Sequence, residues 1–446
     1  MRVQPSLALL LLCSLLSALT GCTNPNQATA PATQVPTAQI ISKPEPAAIV
    51  LSPTPTPDMT ATAQALQPTA TPTPLAATPT PVVRQGPGGL PYPLQLAQLN
   101  FGVVGHLYYT DRYTALATAQ EAGFEWFRQQ IHWRDIEDSS GQFFWGDLDN
   151  IVAATDARGM LLLISVVRSP TWHTADGSDG MPQDPATLAR FVEALAARYQ
   201  GRVHAVEIWN EQNLAHENGG RVALEDAGHY VELLAAAYNS IKAVDPRIIV
   251  VAGAPSSTAM NNPDIAVPDQ DYLRAMYSYK DGLIRDYFDV QAIHPGGSAN
   301  PPDTLWPDNP SPADGWTDDP TFYFRHVENS RRLMEEAGLG DHQVWITEFG
   351  WATQNSTPGF EFGNQIPFEI QRDYIVGAMQ RSYEQYPWIS NLFLWNLNFS
   401  VLQRENGLDP LHEQGSFSIV HGDWSRRPAF YGIQEFIAQT RLAQGN

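Results

Sequence analysis

Val206-Glu207-Ile208-Trp209-Asn210-Glu211-Gln212-Asn213 begins apolar and ends in an amide beside an acid. Residues His204 to Trp209 are β-rich and follow Gly201, a helix stop, so the stretch reads as a buried strand that delivers Asn210 and Glu211 at its carboxyl end. Much further on, Val344-Trp345-Ile346-Thr347-Glu348-Phe349-Gly350-Trp351 repeats the plan: a short apolar strand with an acid at its tip.

Outward from these two stretches the chain alternates short apolar strands with amphipathic helices. Strands are expected over Phe101–Gly105, Trp126–Ile131, Met160–Val167, His204–Trp209, Ile248–Ala252, Phe288–Ile293, Val344–Thr347 and Leu392–Trp395. Helices are expected over Thr114–Ala122, Leu148–Ala157, Ala186–Tyr199, Glu225–Ala243, Phe322–Ala337, Phe368–Tyr383 and Ala429–Thr440. Such alternation implies parallel strands with helical crossovers, and the economical closed form is an α/β (β/α)8 TIM barrel. An open doubly wound sheet is the competitor. The barrel is preferred because polar residues gather at the carboxyl ends of several strands, where barrels carry their chemistry. No strand runs into a Gly-rich phosphate loop.

Residues 1–22 read as an export signal, with Arg2 ahead of an apolar run from Leu7 to Leu19 that is too short to span a membrane. Residues 23–92 are a Pro/Thr-rich linker in which Thr-Pro-Thr-Pro recurs at 54–57, 71–74 and 78–81; too few large apolar groups are present to fold it. The globular region is 93–446. The whole chain carries −21 and residues 1–92 carry +1, so the globular region carries −22, a field that repels nucleic acid and anionic lipid. The two cysteines, Cys13 and Cys22, both precede the linker, so the globular region can hold neither a disulfide nor a thiolate metal site.

Two acids on two strand ends suit glycosidic bond cleavage, in which one protonates the leaving oxygen and the other attacks the anomeric carbon or activates water. Ile208-Trp209-Asn210-Glu211 and Ile346-Thr347-Glu348-Phe349-Gly350 resemble the two signatures of clan A retaining glycoside hydrolases, with families 5 and 39 the nearest in flavour. The resemblance covers nearly all of 94–446. It implies Glu211 as acid/base and Glu348 as nucleophile, and Asn210 as a hydrogen-bond partner of the sugar 2-hydroxyl. It further implies Arg128 beside Glu348, lowering its pKa, and Trp395 as a sugar-stacking platform. Leu19-Thr20-Gly21-Cys22 resembles the bacterial lipoprotein box, which implies lipidation at Cys22 and an exported protein tethered to the outer face of a membrane.

Each assignment has a structural alternative. Arg128 could be a structural ion-pair partner and Trp395 core packing. His294, ending strand six, could bond a sugar hydroxyl or serve the fold. Trp172 and Trp351 could be rim aromatics or packing residues, and His106 and Trp133 are weaker candidates of the same kind. Relatives carry a tyrosine near the strand-six histidine. Here Pro295-Gly296-Gly297 follows, so that role is left unassigned, with Tyr323 a candidate substitute. The segments 254–287 and 295–321, after strands five and six, are expected to build the cleft.

The reading is therefore a monomeric retaining β-glycosidase acting on a poly- or oligosaccharide, endo-acting by preference. No cofactor is expected, and no metal, since there is no His-Glu-x-x-His and no close histidine pair on a helix face. The competing reading is a catalytically inactive barrel that binds glycan at the cell surface.

Overall fold

The computed structural model describes residues 99–306, 315–317, 319–355 and 357–444. The signal, Cys22 and the linker lie outside the described residues. Eight parallel strands close into a barrel: β1 Asn100–Val104, β2 Trp126–His132, β3 Leu161–Val167, β4 Ala205–Ile208, β5 Ile249–Ala252, β6 Val290–Ile293, β7 Gln343–Phe349 and β8 Ile389–Trp395, with β8 pairing back on β1. The expected TIM barrel is the fold. Around it run α1 Arg112–Glu121, α2 Gly146–Ala157, α3 Pro185–Arg198, α4 Asp226–Val244, α5 Asp269–Ser278, α6 Val327–Glu336, α7 Phe368–Gln385, α8 Phe399–Glu405 and α9 Pro428–Gln444.

Local chemistry explains these elements. In α3 the Asp184 side chain accepts from the Ala186 amide, Pro185 occupies the first turn, and Leu188, Phe191, Val192, Leu195 and Ala196 form one buried stripe. The strands are covered on both faces, so β3 reads Leu-Leu-Leu-Ile-Ser-Val-Val with little polar interruption. Alternation still sorts the two faces. Val104, Trp126, Leu163, Ala205, Val251, Ala292, Trp345 and Phe393 pack together inside the barrel. Their neighbours Val103, Phe127, Ile164, Val206, Val250, Ile293, Ile346 and Leu394 belong to the core under the helices.

The elements depart from the expected ones in places. Within 254–287 a helix that was not expected, α5, forms. Its buried apolar residues, Tyr272, Leu273, Met276 and Tyr277, make a short stripe among polar residues that is easily passed over. The helix expected from Phe322 starts at Val327, after a 3-10 turn over Phe324–His326.

Candidate active site

The end of β4 turns sharply. Trp209 and Glu211 both adopt positive φ, 66° and 46°, a conformation costing roughly 1–3 kcal/mol for a residue with a side chain. Neighbouring groups hold it. The Glu211 amide donates to the Ala254 carbonyl at 2.8 Å, and the Trp209 indole donates to the Glu217 carbonyl at 3.2 Å. A side chain at Gly253 would put its Cβ 2.5 Å from the Ile208 carbonyl oxygen, so only glycine lets β5 approach this turn.

The end of β7 is re-aimed differently. Ile346 pairs with Leu392 and Phe349 with Leu394, so β7 carries one residue more than β8 over this stretch. A bulge of this kind bends the strand and changes where its side chains point. It lies at Thr347 and Glu348, and both reach the barrel mouth. Gly350 then passes directly against the Trp395 carbonyl, with no room for a Cβ.

Arg128, on β2, ties the two ends together. Its Nη1 donates to Glu348 Oε1 at 2.7 Å, its Nη2 to Asn210 Oδ1 at 2.8 Å, and its Nε to Glu207 Oε2 at 2.8 Å. Arg128, Glu207, Asn210, Glu211, His294 and Glu348 are all buried. His294 sits between the acids, with Nδ1 3.2 Å from Glu211 Oε1 and 3.9 Å from Glu348 Oε2, and Nε2 2.9 Å from the Thr347 hydroxyl. One oxygen of Glu211, one of Glu348 and one nitrogen of His294 all lie within 4.8 Å of one another. A cation could bridge such a set. However, the Arg128 guanidinium already supplies positive charge to Glu348, so no metal is assigned here.

Arg128 pulls the Glu348 pKa down, as expected, but the net shift is the other way. Burial is the largest influence and raises it, outweighing the downward pull of His294 and Arg128, while the charges of Glu211 and Glu207 add to the rise. His294 is pulled down by burial, but Glu348 and Glu211 outweigh that and its pKa is raised. Glu348 and His294 therefore hold their protons more firmly than the same groups would in water.

Glu211, Glu348, His294 and Trp395 line one cavity at the carboxyl ends of the strands, with Ser256, Ser257, Phe322 and Phe417. Trp395 presents a wall there and donates its indole N–H to Gln414 Oε1 at 2.9 Å. The segments after β5 and β6 do reach this cavity, through Ser256, Ser257 and Pro295–Gly297.

Other assignments are corrected. Trp351 is no rim aromatic: it is 1% exposed, donates to the Asn300 carbonyl at 2.9 Å, and packs against Phe324 and Tyr374. Trp172 is exposed on a 3-10 turn but is not among the residues lining this cavity. The Tyr323 hydroxyl donates to the Thr317 carbonyl, and its neighbour Phe322 faces the cavity instead. Trp133 is fully buried, stacked between His173 and Phe191. His106 packs on Phe399, which in turn packs on Trp395.

Sequence reasoning missed Glu207, Thr347, Phe322 and Phe417. Glu207 had a signal, a charged residue inside an apolar strand. Phe322 and Phe417 had none, since nothing local marks which phenylalanine a cavity will use.

No family model matches the chain, and no curated protein matches it in sequence. Solved structures do resemble it. A family 39 glycoside hydrolase from Bacteroides cellulosilyticus WH2 superposes with a TM-score of 0.56 at 18% identity, over 76% of this chain and 64% of that one. A glucosidase from Croceicoccus marinus gives 0.53 at 13%, over 77% and 68%. A family 39 β-xylosidase from Caulobacter crescentus gives 0.50 at 18%, over 80% and 72%. The chain thus spans under two thirds of the first of these proteins. At such identities the likeness establishes the shared architecture: this chain has the TIM-barrel fold found in those glycoside hydrolases.

Proposed function

We propose that the protein is a retaining glycoside hydrolase that cleaves a β-linked poly- or oligosaccharide by double displacement. The observation that carries this reading is the approach of Glu211 and Glu348 oxygens to within 4.8 Å across the mouth of the barrel. Retaining enzymes hold their two carboxyl groups about 5–5.5 Å apart, whereas inverting enzymes leave roughly 6.5–9.5 Å for a water between them.

In this mechanism Glu348 Oε1 stays on Arg128 while Oε2 attacks the anomeric carbon. The glycosidic bond breaks, and Glu211 gives its proton to the departing oxygen. Water then attacks the glycosyl-enzyme, Glu211 takes a proton from it, and the Glu348 carboxylate is released. Arg128 engages the Asn210 carbonyl oxygen, which leaves the amide N–H groups of Asn210 to donate to the sugar 2-hydroxyl. The aromatic walls Trp395, Phe322 and Phe417 suit the apolar faces of a sugar ring. Two carboxylates in one cavity favour a neutral sugar over an anionic one. Endo action rests on the long segments after β5 and β6. Export and lipid anchoring rest on the sequence around Cys22 alone; loss of fatty-acid labelling in Cys22→Ala tests them.

The decisive experiment is mass spectrometry of the protein after incubation with a panel of activated 2-fluoro glycosides. A covalent adduct on the Glu348 peptide is the expected result. No adduct from any sugar, with glycan binding intact, would instead favour the inactive, glycan-binding barrel.

A further inference from the structure

Glu207 lies on β4, four residues before Glu211, and is wholly buried. A carboxylate in such a place is costly unless compensated. Its compensation is Arg128: Nε donates to Oε2 at 2.8 Å, and Nη2 is 2.7 Å from the same oxygen. Glu207 Oε1 accepts no hydrogen bond among the described residues. The rest of the guanidinium faces the catalytic side, reaching Glu348 through Nη1 and Asn210 and Ser165 through Nη2. A rigid planar fork gripped along one edge has a fixed orientation at the other.

We propose that Glu207 is a positioning residue for the reaction at Glu348, acting through Arg128. It clamps the guanidinium against Asn210 and Glu348 and takes a share of its positive charge, so that Glu348 is oriented without being fully neutralised. The inference rests on the glycosidase reading above.

The charge logic gives a sign. Glu348 is faced by Arg128 from β2, His294 just after β6, Glu211 after β4 and Glu207 within β4. Glu207 is faced by Arg128, and its charge is also felt by Tyr230 of α4. That phenol is kept neutral by burial, and it donates to the Ile208 carbonyl and accepts from the Gly253 amide. Removing the Glu207 charge therefore leaves all of the Arg128 charge to act on Glu348 and favours the Glu348 carboxylate.

The test is the pH profile of Glu348 labelling by the 2-fluoro glycoside that reacts fastest with the wild type. In Glu207→Gln the acidic limb should move to lower pH by on the order of one unit. A purely structural role would lower the folded fraction and leave the limb of the folded molecules in place, which would overturn the proposal. Glu207→Asp keeps the charge but shortens the clamp. It should label at least about tenfold more slowly with its limb unmoved, and labelling at the wild-type rate would overturn the proposal. Failure of both variants to fold would also overturn it, in favour of a structural role. No adduct in the wild type would remove the glycosidase reading and this inference together. An adduct in the wild type with an unmoved limb in Glu207→Gln removes this inference alone.

Discussion

Along the inside of the barrel, the amino-terminal end of the strands and the carboxyl-terminal end solve opposite problems. At the first, Trp126, Trp345 and Phe393 pack with ring centroids 5.1, 5.7 and 6.2 Å apart, and Gly102 gives Phe393 its space. Two residues further along β2 and β4, the same inward-facing rows carry Arg128 and Glu207. Apolar rings fill the first end at a gain of about 1.5–3 kcal/mol for each large buried side chain. The second end buries three carboxylates, a guanidinium and an imidazole, an arrangement that opposes folding unless every group is matched. Such a layer persists on a scaffold whose other end supplies the stability, and the charges it concentrates are those a reaction can use.

Changes at the two ends should therefore separate function from stability. Glu348→Gln has the largest expected effect: turnover falls by about 10⁴-fold or more while the fold remains, read by substrate release per folded molecule. The same variant should melt higher than the wild type, and the gap should widen with pH. Glu348 has a raised pKa in the folded state, so as pH rises past its unfolded pKa the folded state loses stability relative to the unfolded one, and glutamine is exempt from that loss. His294, also raised, contributes stability at low pH that fades as pH rises through its folded pKa. Thermal melts at several pH values check both signs.

Arg128→Met comes next. It strands Glu207 and Glu348 without their cation and should cost about 3–5 kcal/mol by denaturant titration, with loss of activity. Trp126→Ala should cost a similar ~3–5 kcal/mol through its cavity. In contrast to Arg128→Met, it should leave the pH profile of the remaining folded molecules unchanged, and a moved profile would break the division between the two ends. The smallest effect belongs to Trp172→Ala. An exposed turn residue away from the cavity should change stability by within about 0.5 kcal/mol and leave small-substrate turnover alone. A raised KM confined to long substrates would extend the site to that loop.

Much of this was legible in the chain. All eight strands fall on the short apolar runs, β2, β3, β4 and β7 each after a glycine helix stop (Gly123, Gly159, Gly201 and Gly338), and β3 and β7 announce themselves by composition. Helices with a full stripe, such as α3, were equally plain. α5 was not, because its apolar stripe spans barely one and a half turns. In the site, Asn210, Glu211 and Glu348 could be singled out because each ends an apolar run, where a polar residue needs a reason. Trp351 could not be separated from Trp395 by sequence. Trp395 ends β8 and Trp351 lies just past β7, and the difference is whether neighbouring rings, here Phe324 and Tyr374 on Trp351, bury the side chain.

The sequence by itself determined the alternation of strands and helices and which strand ends carry acids, since both depend on the order of apolar and polar residues. Only the tertiary structure decided how those acids meet. The extra residue in β7 turns Glu348 into the barrel mouth, the left-handed turns at Trp209 and Glu211 aim the other acid, and Arg128 gathers side chains from β2, β4 and β7. The direction of the Glu348 pKa was likewise beyond the sequence. Burial, with the charges of Glu211 and Glu207 added, outweighs the downward pull of His294 and Arg128, and all of these arise only when the barrel closes.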